Sequence, residues 1–186
     1  MRQLFFSTIF IIPLTFISLT QTATKLNIEK ETLFCWSGDF IEFKKKQNMY
    51  NIEKIKYQTT RCFGTCPQFY LEIDKLKNAT LDAKYHNRKD KKGKEIKGKY
   101  NAIIKDKDYD EIVKLLNDIN FPNLNDNYAV AAKDYPTCFL TITYNNGKVK
   151  KIRDYGLNGT SGLKKLYNLM FELRFNQEWK KSKGKL

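Results

Sequence analysis

The loop Cys62-Phe-Gly-Thr-Cys66-Pro67 constrains the fold of this 186-residue chain more than any other feature. Apolar and polar residues alternate over residues 54–59 before the loop and over residues 68–74 after it. A period of two is typical of strands that bury one face. The sequence therefore predicts two neighbouring strands joined by a short connection with a cysteine at each end.

Gly64 and Pro67 indicate how this connection is closed. Four positions apart on a helix, two Cβ atoms lie about 6 Å from each other, whereas a disulfide needs about 3.8 Å. A turn through Gly64 can bring Cys62 and Cys66 within that distance. Pro67 then holds the preceding residue in an extended conformation. We therefore predict a disulfide between Cys62 and Cys66.

Other interpretations of this cysteine pair stay open. Two thiolates can form half of a zinc site, which needs two further ligands from His86, the only histidine, or from Cys35 and Cys138. A small ring can also be a redox-active dithiol, or both thiols can be reduced and buried.

Cys35 and Cys138 are the second candidate disulfide pair, because an even number of cysteines favours full pairing in an oxidising compartment. The alternative is that Cys138 acts as a small apolar side chain buried in a strand.

Periodicity predicts the remaining elements. A third, weaker strand covers about 79–85, a candidate fourth strand covers 99–104, and a polar, lysine-rich hairpin loop lies between them. Asp108 and Glu111 have the spacing of a capping box at the start of a helix over 109–120.

Asn146-Gly147 predicts a two-residue turn between strands over 137–144 and 148–155, which would pair Leu140 with Arg153. Thr160 or Ser161 can cap a last helix, whose core positions are Leu163, Leu166, Tyr167, Met170 and Leu173.

The predicted order is β-β-β-(β)-α-β-β-α. Strands joined by hairpins form an antiparallel sheet, and two amphipathic helices can cover one of its faces. The predicted fold class is therefore α+β, a two-layer sandwich with both helices on one face.

The N-terminus has the layout of a secretory signal peptide. Arg2 precedes an apolar run over 4–19, and small polar residues follow as far as Ala23. The run is short for a membrane span, and Pro13 lies inside it. We predict export to the periplasm or the extracellular space, with no membrane span after cleavage. The predicted organisation is a signal peptide over 1–23, a lead-in over 24–50, a single domain over 51–180 and a disordered tail over 181–186.

The net charge of +14 comes almost entirely from lysines that are scattered along the chain. Scattered charge in an exported protein argues against nucleic acid as a partner. The partner stays unknown, and a cell-envelope protein or an anionic polymer are the two candidates.

No catalytic motif is recognisable, and no cofactor or metal is expected. Asp154 and Arg153 beside Gly156 lie where active sites do occur, but turn capping by Asp154 and a surface ion pair of Arg153 are the favoured explanation of these residues. We therefore predict a non-enzymatic binding or interaction module, with a thiol-dependent redox or metal-binding protein as the alternative. The predicted functional surface consists of Arg61, Gly64, Pro67, Arg153, Asp154 and Tyr155.

The run from Ile55 through Arg61-Cys62-Phe-Gly-Thr-Cys66-Pro67-Gln-Phe-Tyr-Leu resembles the domain-of-unknown-function family 6438. That family is found mostly in exported proteins and lipoproteins of Bacteroidetes-type bacteria, and its pattern is a strand, a C-x-G-x-C-P loop and a second strand. The segments Phe121-Pro-Asn-Leu124, Asp134-Tyr-Pro136 and Arg153-Asp-Tyr-Gly156 match in the same order, so that the resemblance covers roughly 50–180. It implies no activity. The chain departs from the family at Lys75-Leu-Lys-Asn78, where a short Asp-Gly-type turn is usual.

Overall fold

The computed structural model describes residues 49–87, 95 and 97–182. They form an eight-stranded sheet and two helices, which confirms the α+β class. The strands are β1 (Ile52–Thr59), β2 (Gln68–Asp74), β3 (Asn78–Tyr85), β4 (Gly98–Ile103), β5 (Asn127–Ala129), β6 (Thr137–Tyr144), β7 (Lys148–Tyr155) and β8 (Lys180–Lys181). The helices are α1 (Asp106–Asp118) and α2 (Ser161–Asn176), and Phe121–Asn123 form a 3₁₀ turn.

The strand order across the sheet is β5-β7-β6-β1-β2-β3-β4-β8. Only β5 and β7 pair in parallel among these strands, and every other neighbouring pair is antiparallel. The predicted element order is present, including the candidate fourth strand. The short edge strands β5 and β8 were not predicted, because two or three residues carry no readable alternation.

Both helices cover the same face of the sheet. Tyr57 of β1 and Phe69 of β2 contact Phe171 of α2, with ring centroids 6.0 Å and 5.4 Å apart. Ile112 and Leu116 of α1 are completely buried in the same core. Alternate strand residues point to the other side and stay half-buried or exposed. We call that other side the outer face.

The β6–β7 hairpin corrects the predicted register. Asn145, Asn146 and Gly147 all have positive φ and form a three-residue loop. Leu140 therefore pairs with Ile152 and not with Arg153. Burial of the apolar side chains explains the observed register, because a slip of one residue would turn every side chain of the strand to the opposite face.

The predicted capping box of α1 is wrong, because this helix begins two residues before Asp108. Its N-cap is Lys105, whose side chain makes no capping hydrogen bond. The side chain of Gln177, which follows α2, makes hydrogen bonds at the start of α1 in place of the capping box. It accepts a hydrogen bond from the N–H of Lys105 (2.9 Å) and donates one to the carboxylate of Asp108 (2.5 Å).

The cap and core of α2 agree with the prediction. The N-cap is Thr160, which accepts a hydrogen bond from the N–H of Leu163 at 3.2 Å. The five predicted core positions of α2 are all buried.

The structure describes little of the predicted N-terminal segments and only the start of the predicted C-terminal tail. Residues 1–48, which hold the predicted signal peptide and nearly all of the lead-in, lie outside the described residues, as do 183–186. Lys181 was assigned to a disordered tail, but it forms β8 with Lys180 and pairs with Tyr100 of β4. Among the helices of the described residues, none has the length and apolarity needed to cross a membrane.

Candidate functional site: the Cys62–Cys66 loop and the adjoining end of the sheet

The Cys62–Cys66 loop joins β1 to β2 and is closed by a disulfide, as predicted. The Cα atoms of the two cysteines lie 5.6 Å apart. Gly64 has a φ of 137°, a backbone conformation that residues other than glycine rarely adopt. The loop is therefore a tight turn that depends on glycine at its tip.

Hydrogen bonds fix the loop to the segment that precedes β6. The N–H of Phe63 donates to the carbonyl of Asp134 (3.1 Å), and the N–H of Thr60 donates to that of Thr137 (2.9 Å). The N–H of Thr137 in turn donates to the hydroxyl of Thr60 (2.8 Å). Two peptide segments that are about 75 residues apart in sequence thus form one connected unit.

The end of β7 joins the same unit. The N–H of Gly156 donates to the carbonyl of Pro136 (2.9 Å), and the hydroxyl of Tyr155 accepts from the N–H of Tyr135 (3.3 Å). The cysteine loop and the 153–156 turn therefore lie at the same end of the sheet, and residues 134–137 are the bridge between them.

Aromatic side chains project from this unit into solvent. Phe63 is 90% exposed and Tyr135 is 52% exposed. The guanidinium of Arg61 lies 5.1 Å from the ring centroid of Tyr85. We call Arg61, Phe63, Tyr135 and Tyr155 the loop surface. Sequence reasoning missed Phe63 and Tyr135, although an aromatic residue beside Gly64 at a loop tip was a readable signal.

The predicted surface residues have different positions. Arg61, Gly64 and Arg153 are exposed, and Pro67 and Tyr155 are half-buried. Asp154 does not lie on the predicted surface, because its side chain is completely buried on the face that the helices cover.

The Asp154 carboxylate accepts hydrogen bonds from the N–H groups of Asn158 (3.0 Å) and Gly159 (2.8 Å). Its role in the structure is thus to fix the turn that leads into α2. Tyr155 follows Asp154 in β7 and points to the opposite face, so these two side chains do not share one surface.

A buried polar cluster lies under the same end of the sheet. Cys138 faces Thr59 of β1 on one side and Asp154 of β7 on the other, and all three are buried. The hydroxyls of Tyr57 and Tyr167 lie beside the Cys138 thiol. Within the described part of the chain, neither hydroxyl makes a well-formed hydrogen bond.

Burial controls the protonation of this cluster. It raises the pKa of the Cys138 thiol and the pKa values of the Tyr57 and Tyr167 hydroxyls well above their ordinary values. At neutral pH these three groups are therefore uncharged, and the Cys138 thiol is a poor nucleophile.

The second predicted disulfide pair is not supported by the structure. Cys138 is a free, completely buried cysteine in β6, which agrees with its alternative interpretation as a small apolar side chain. Cys35 lies outside the described residues. Across the residues that the structure describes, no cluster of three or more histidine, cysteine, aspartate or glutamate side chains could hold a metal ion.

Comparison with known families places the whole site in one domain. The family model described as domain of unknown function (DUF6438) matches residues 53–174, which include the cysteine loop, residues 134–137, all of α1 and most of α2. The chain belongs to this family. Neither the curated proteins nor the solved structures include a match to this chain.

Proposed function

We propose that this chain is an exported, non-enzymatic interaction module that binds a protein of the cell envelope through the loop surface. The exposure of Phe63 carries this proposal. An aromatic ring that is 90% exposed at the tip of a closed loop contributes nothing to the core. Aromatic residues of this kind are often the central anchors of protein interfaces.

The loop is also held rigid before any partner binds. The disulfide closes it, and the hydrogen bond from Phe63 to Asp134 fixes its tip. A fixed loop loses little conformational entropy on binding, so more of the contact energy remains as affinity. The half-exposed disulfide and the solvent-exposed ring thus support the same function.

Two observations support export. The first 23 residues have the layout of a signal peptide. A disulfide at the surface persists in oxidising compartments and is rare in the cytosol. A cell-envelope protein is therefore the partner that fits both the compartment and the aromatic loop surface.

A thiol-dependent redox role of Cys62 and Cys66 is the second candidate, because both cysteines are half-buried and a reductant can reach them. The two candidates differ in what they require. A redox protein needs the disulfide to open and close, whereas the interaction module needs it to stay closed.

Site-specific photo-crosslinking in cells of the source organism tests the proposal. A benzophenone amino acid replaces Phe63 in one variant and Phe175 in the control, since Phe175 is also an exposed phenylalanine (50%) but lies on α2. We expect a discrete adduct from position 63 that is missing from position 175. The crosslinked protein, once identified and purified, should bind Phe63→Ala at least about tenfold more weakly than wild type. Equal crosslinking from both positions, or unchanged binding by Phe63→Ala, would contradict the proposal.

A further inference from the structure

The outer face of β6 and β7 forms a second surface with its own chemistry. Register places Phe139 opposite Arg153, Thr141 opposite Lys151 and Thr143 opposite Val149. All six residues point to the outer face, since they occupy alternate positions of two paired strands. Phe139 is 39% exposed and Val149 is 53% exposed.

An open groove of about 720 Å³ runs along these two strands. Apolar, hydroxyl and basic side chains share its lining, which includes Phe139, Thr141, Val149, Lys151 and Arg153. Asp126 contributes the only carboxylate of the lining, and it is already paired with Lys150 at 2.6 Å. The groove therefore offers concavity and an apolar wall beside Lys151 and Arg153, the two basic groups of the lining other than the paired Lys150.

The charge of this surface is one-sided. On the outer face, β6 and β7 contribute Lys151 and Arg153 but no carboxylate. Among the salt bridges between described residues, none includes either of these cations. Lys54 and Lys56 on the neighbouring strand are different, because both pair with Glu72. Lys151 and Arg153 are thus available to an anionic ligand.

The outer face itself presents side chains, whereas β7 exposes main-chain groups only at its edge over 148–152, because β5 pairs with no more than residues 153–155 among the described strands. A partner peptide would instead gain its main-chain hydrogen bonds at a sheet edge. A sugar polymer suits the face better. Its C–H groups can pack on Phe139 and Val149, its hydroxyls can bind Thr141, and its acidic groups can pair with Lys151 and Arg153.

We propose that the outer face of β6 and β7 binds an extended acidic polysaccharide. This inference goes beyond the interaction module described above, because the groove and the loop surface consist of different residues. Single-stranded nucleic acid has a similar combination of charge and stacking groups. The surface disulfide favours the polysaccharide, because it indicates an oxidising compartment outside the cytosol.

Fluorescence anisotropy with labelled polygalacturonate at several salt concentrations tests this proposal. The test variant is Lys151→Gln/Arg153→Gln, and the control is Lys164→Gln/Lys165→Gln on α2, which removes the same charge elsewhere. We expect the test variant to bind about tenfold more weakly and its salt slope to fall by about one to two. The control should change affinity less than about twofold. Circular dichroism of both variants checks that the fold is unchanged.

Two further variants separate the groove from the loop surface and from simple charge attraction. Phe139→Ala should weaken binding of polygalacturonate and leave the salt slope unchanged, because it removes a contact and no charge. Phe63→Ala should leave the affinity unchanged, whatever its effect on protein partners. Equal losses in both charge variants, or no binding by wild type, would overturn the proposal. Tighter binding of a single-stranded oligonucleotide of equal charge would identify the groove as a nucleic-acid surface.

Discussion

Cys138 and Asp154 face each other across β6 and β7, and both side chains are completely buried. They lie on the covered face directly beneath the segment that holds the cysteine loop. A carboxylate at such a position is costly unless its oxygens are hydrogen-bonded. Backbone N–H groups of the turn before α2 supply these bonds. The buried acid thus ties the end of the sheet to the start of the helix that covers it.

Replacing Asp154 by Asn should therefore destabilise the domain. The amide keeps one acceptor oxygen but turns an NH₂ group towards one of the two N–H donors at Asn158 and Gly159. We expect the free energy of unfolding to fall by about 2 kcal/mol. Urea denaturation of Asp154→Asn measures it.

Asp110→Asn is the matched control, because Asp110 is an exposed aspartate on α1. Its effect should stay within about 0.5 kcal/mol. Similar losses in the two variants would mean that the buried hydrogen bonds of Asp154 are not what stabilises the turn.

The sequence pattern predicted most of the fold, because most elements have a clear hydrophobic period or clear turn residues at their ends. The β6–β7 register shows where such a pattern misleads. Asn146-Gly147 is typical of a two-residue turn, but Asn145 also adopts positive φ. Pairing Leu140 with Ile152, which buries both apolar side chains, decides between the two registers. This criterion was readable from the sequence.

The β2–β3 turn could be located but not explained from the sequence. Lys75-Leu-Lys-Asn78 contains no glycine, and Lys77 has a φ of 67°. The Asp74 carboxylate stabilises this turn by accepting hydrogen bonds from the N–H groups of Leu76 (2.8 Å) and Asn78 (2.9 Å). A short polar side chain thus stabilises a turn in which Lys77 adopts positive φ in place of a glycine.

The candidate site was predicted in part, because chain order shows which segments exist but not which of them meet. The cysteine loop and the 153–156 turn were both identified, and residues 134–137 join them. The orientation of Asp154 follows only from the correct β6–β7 register. The role of Gln177 at the start of α1 depends on a tertiary contact over 72 residues, which no local pattern encodes.

Removing the disulfide should lower stability by a moderate amount. The bond closes a loop of only five residues, so a chain-entropy estimate for Cys62→Ser/Cys66→Ser is a loss of about 2 kcal/mol. Urea denaturation with and without dithiothreitol measures this loss. Reductant should destabilise the wild type to a similar extent and leave the double variant unchanged. A reductant effect on the double variant of equal size would show that the Cys62–Cys66 bond is not its source.

Replacing Tyr167 by Phe should leave stability unchanged or raise it by about 1 kcal/mol, because the lost hydroxyl is buried without a well-formed hydrogen bond. Tyr50→Phe is the matched control, since its hydroxyl donates to the side-chain oxygen of Asn120 at 2.6 Å. That variant should lose about 1 kcal/mol. Thermal or urea unfolding measures both. An equal loss in Tyr167→Phe would indicate a buried hydrogen-bond partner such as a water molecule.

Alkaline pH should destabilise the domain partly through Cys138. Burial raises the pKa of its thiol far above the value of about 8.5 expected in the unfolded chain. Below that value the thiol is protonated in both states, and its contribution to stability is fully present. As the pH rises further, only the unfolded state releases the proton, so that stability falls by about 2 kcal/mol between pH 8 and pH 10 from this group alone.

Cys138→Ala isolates this contribution, because the buried tyrosines Tyr57 and Tyr167 stay in place. The cavity left by the sulfur lowers stability at every pH, so the informative quantity is the slope of the free energy of unfolding against pH. We expect the slope between pH 8 and pH 10 to be smaller in Cys138→Ala than in the wild type, by about 1 kcal/mol per pH unit. Parallel curves would show that the thiol ionises equally in both states, which a completely buried Cys138 does not allow.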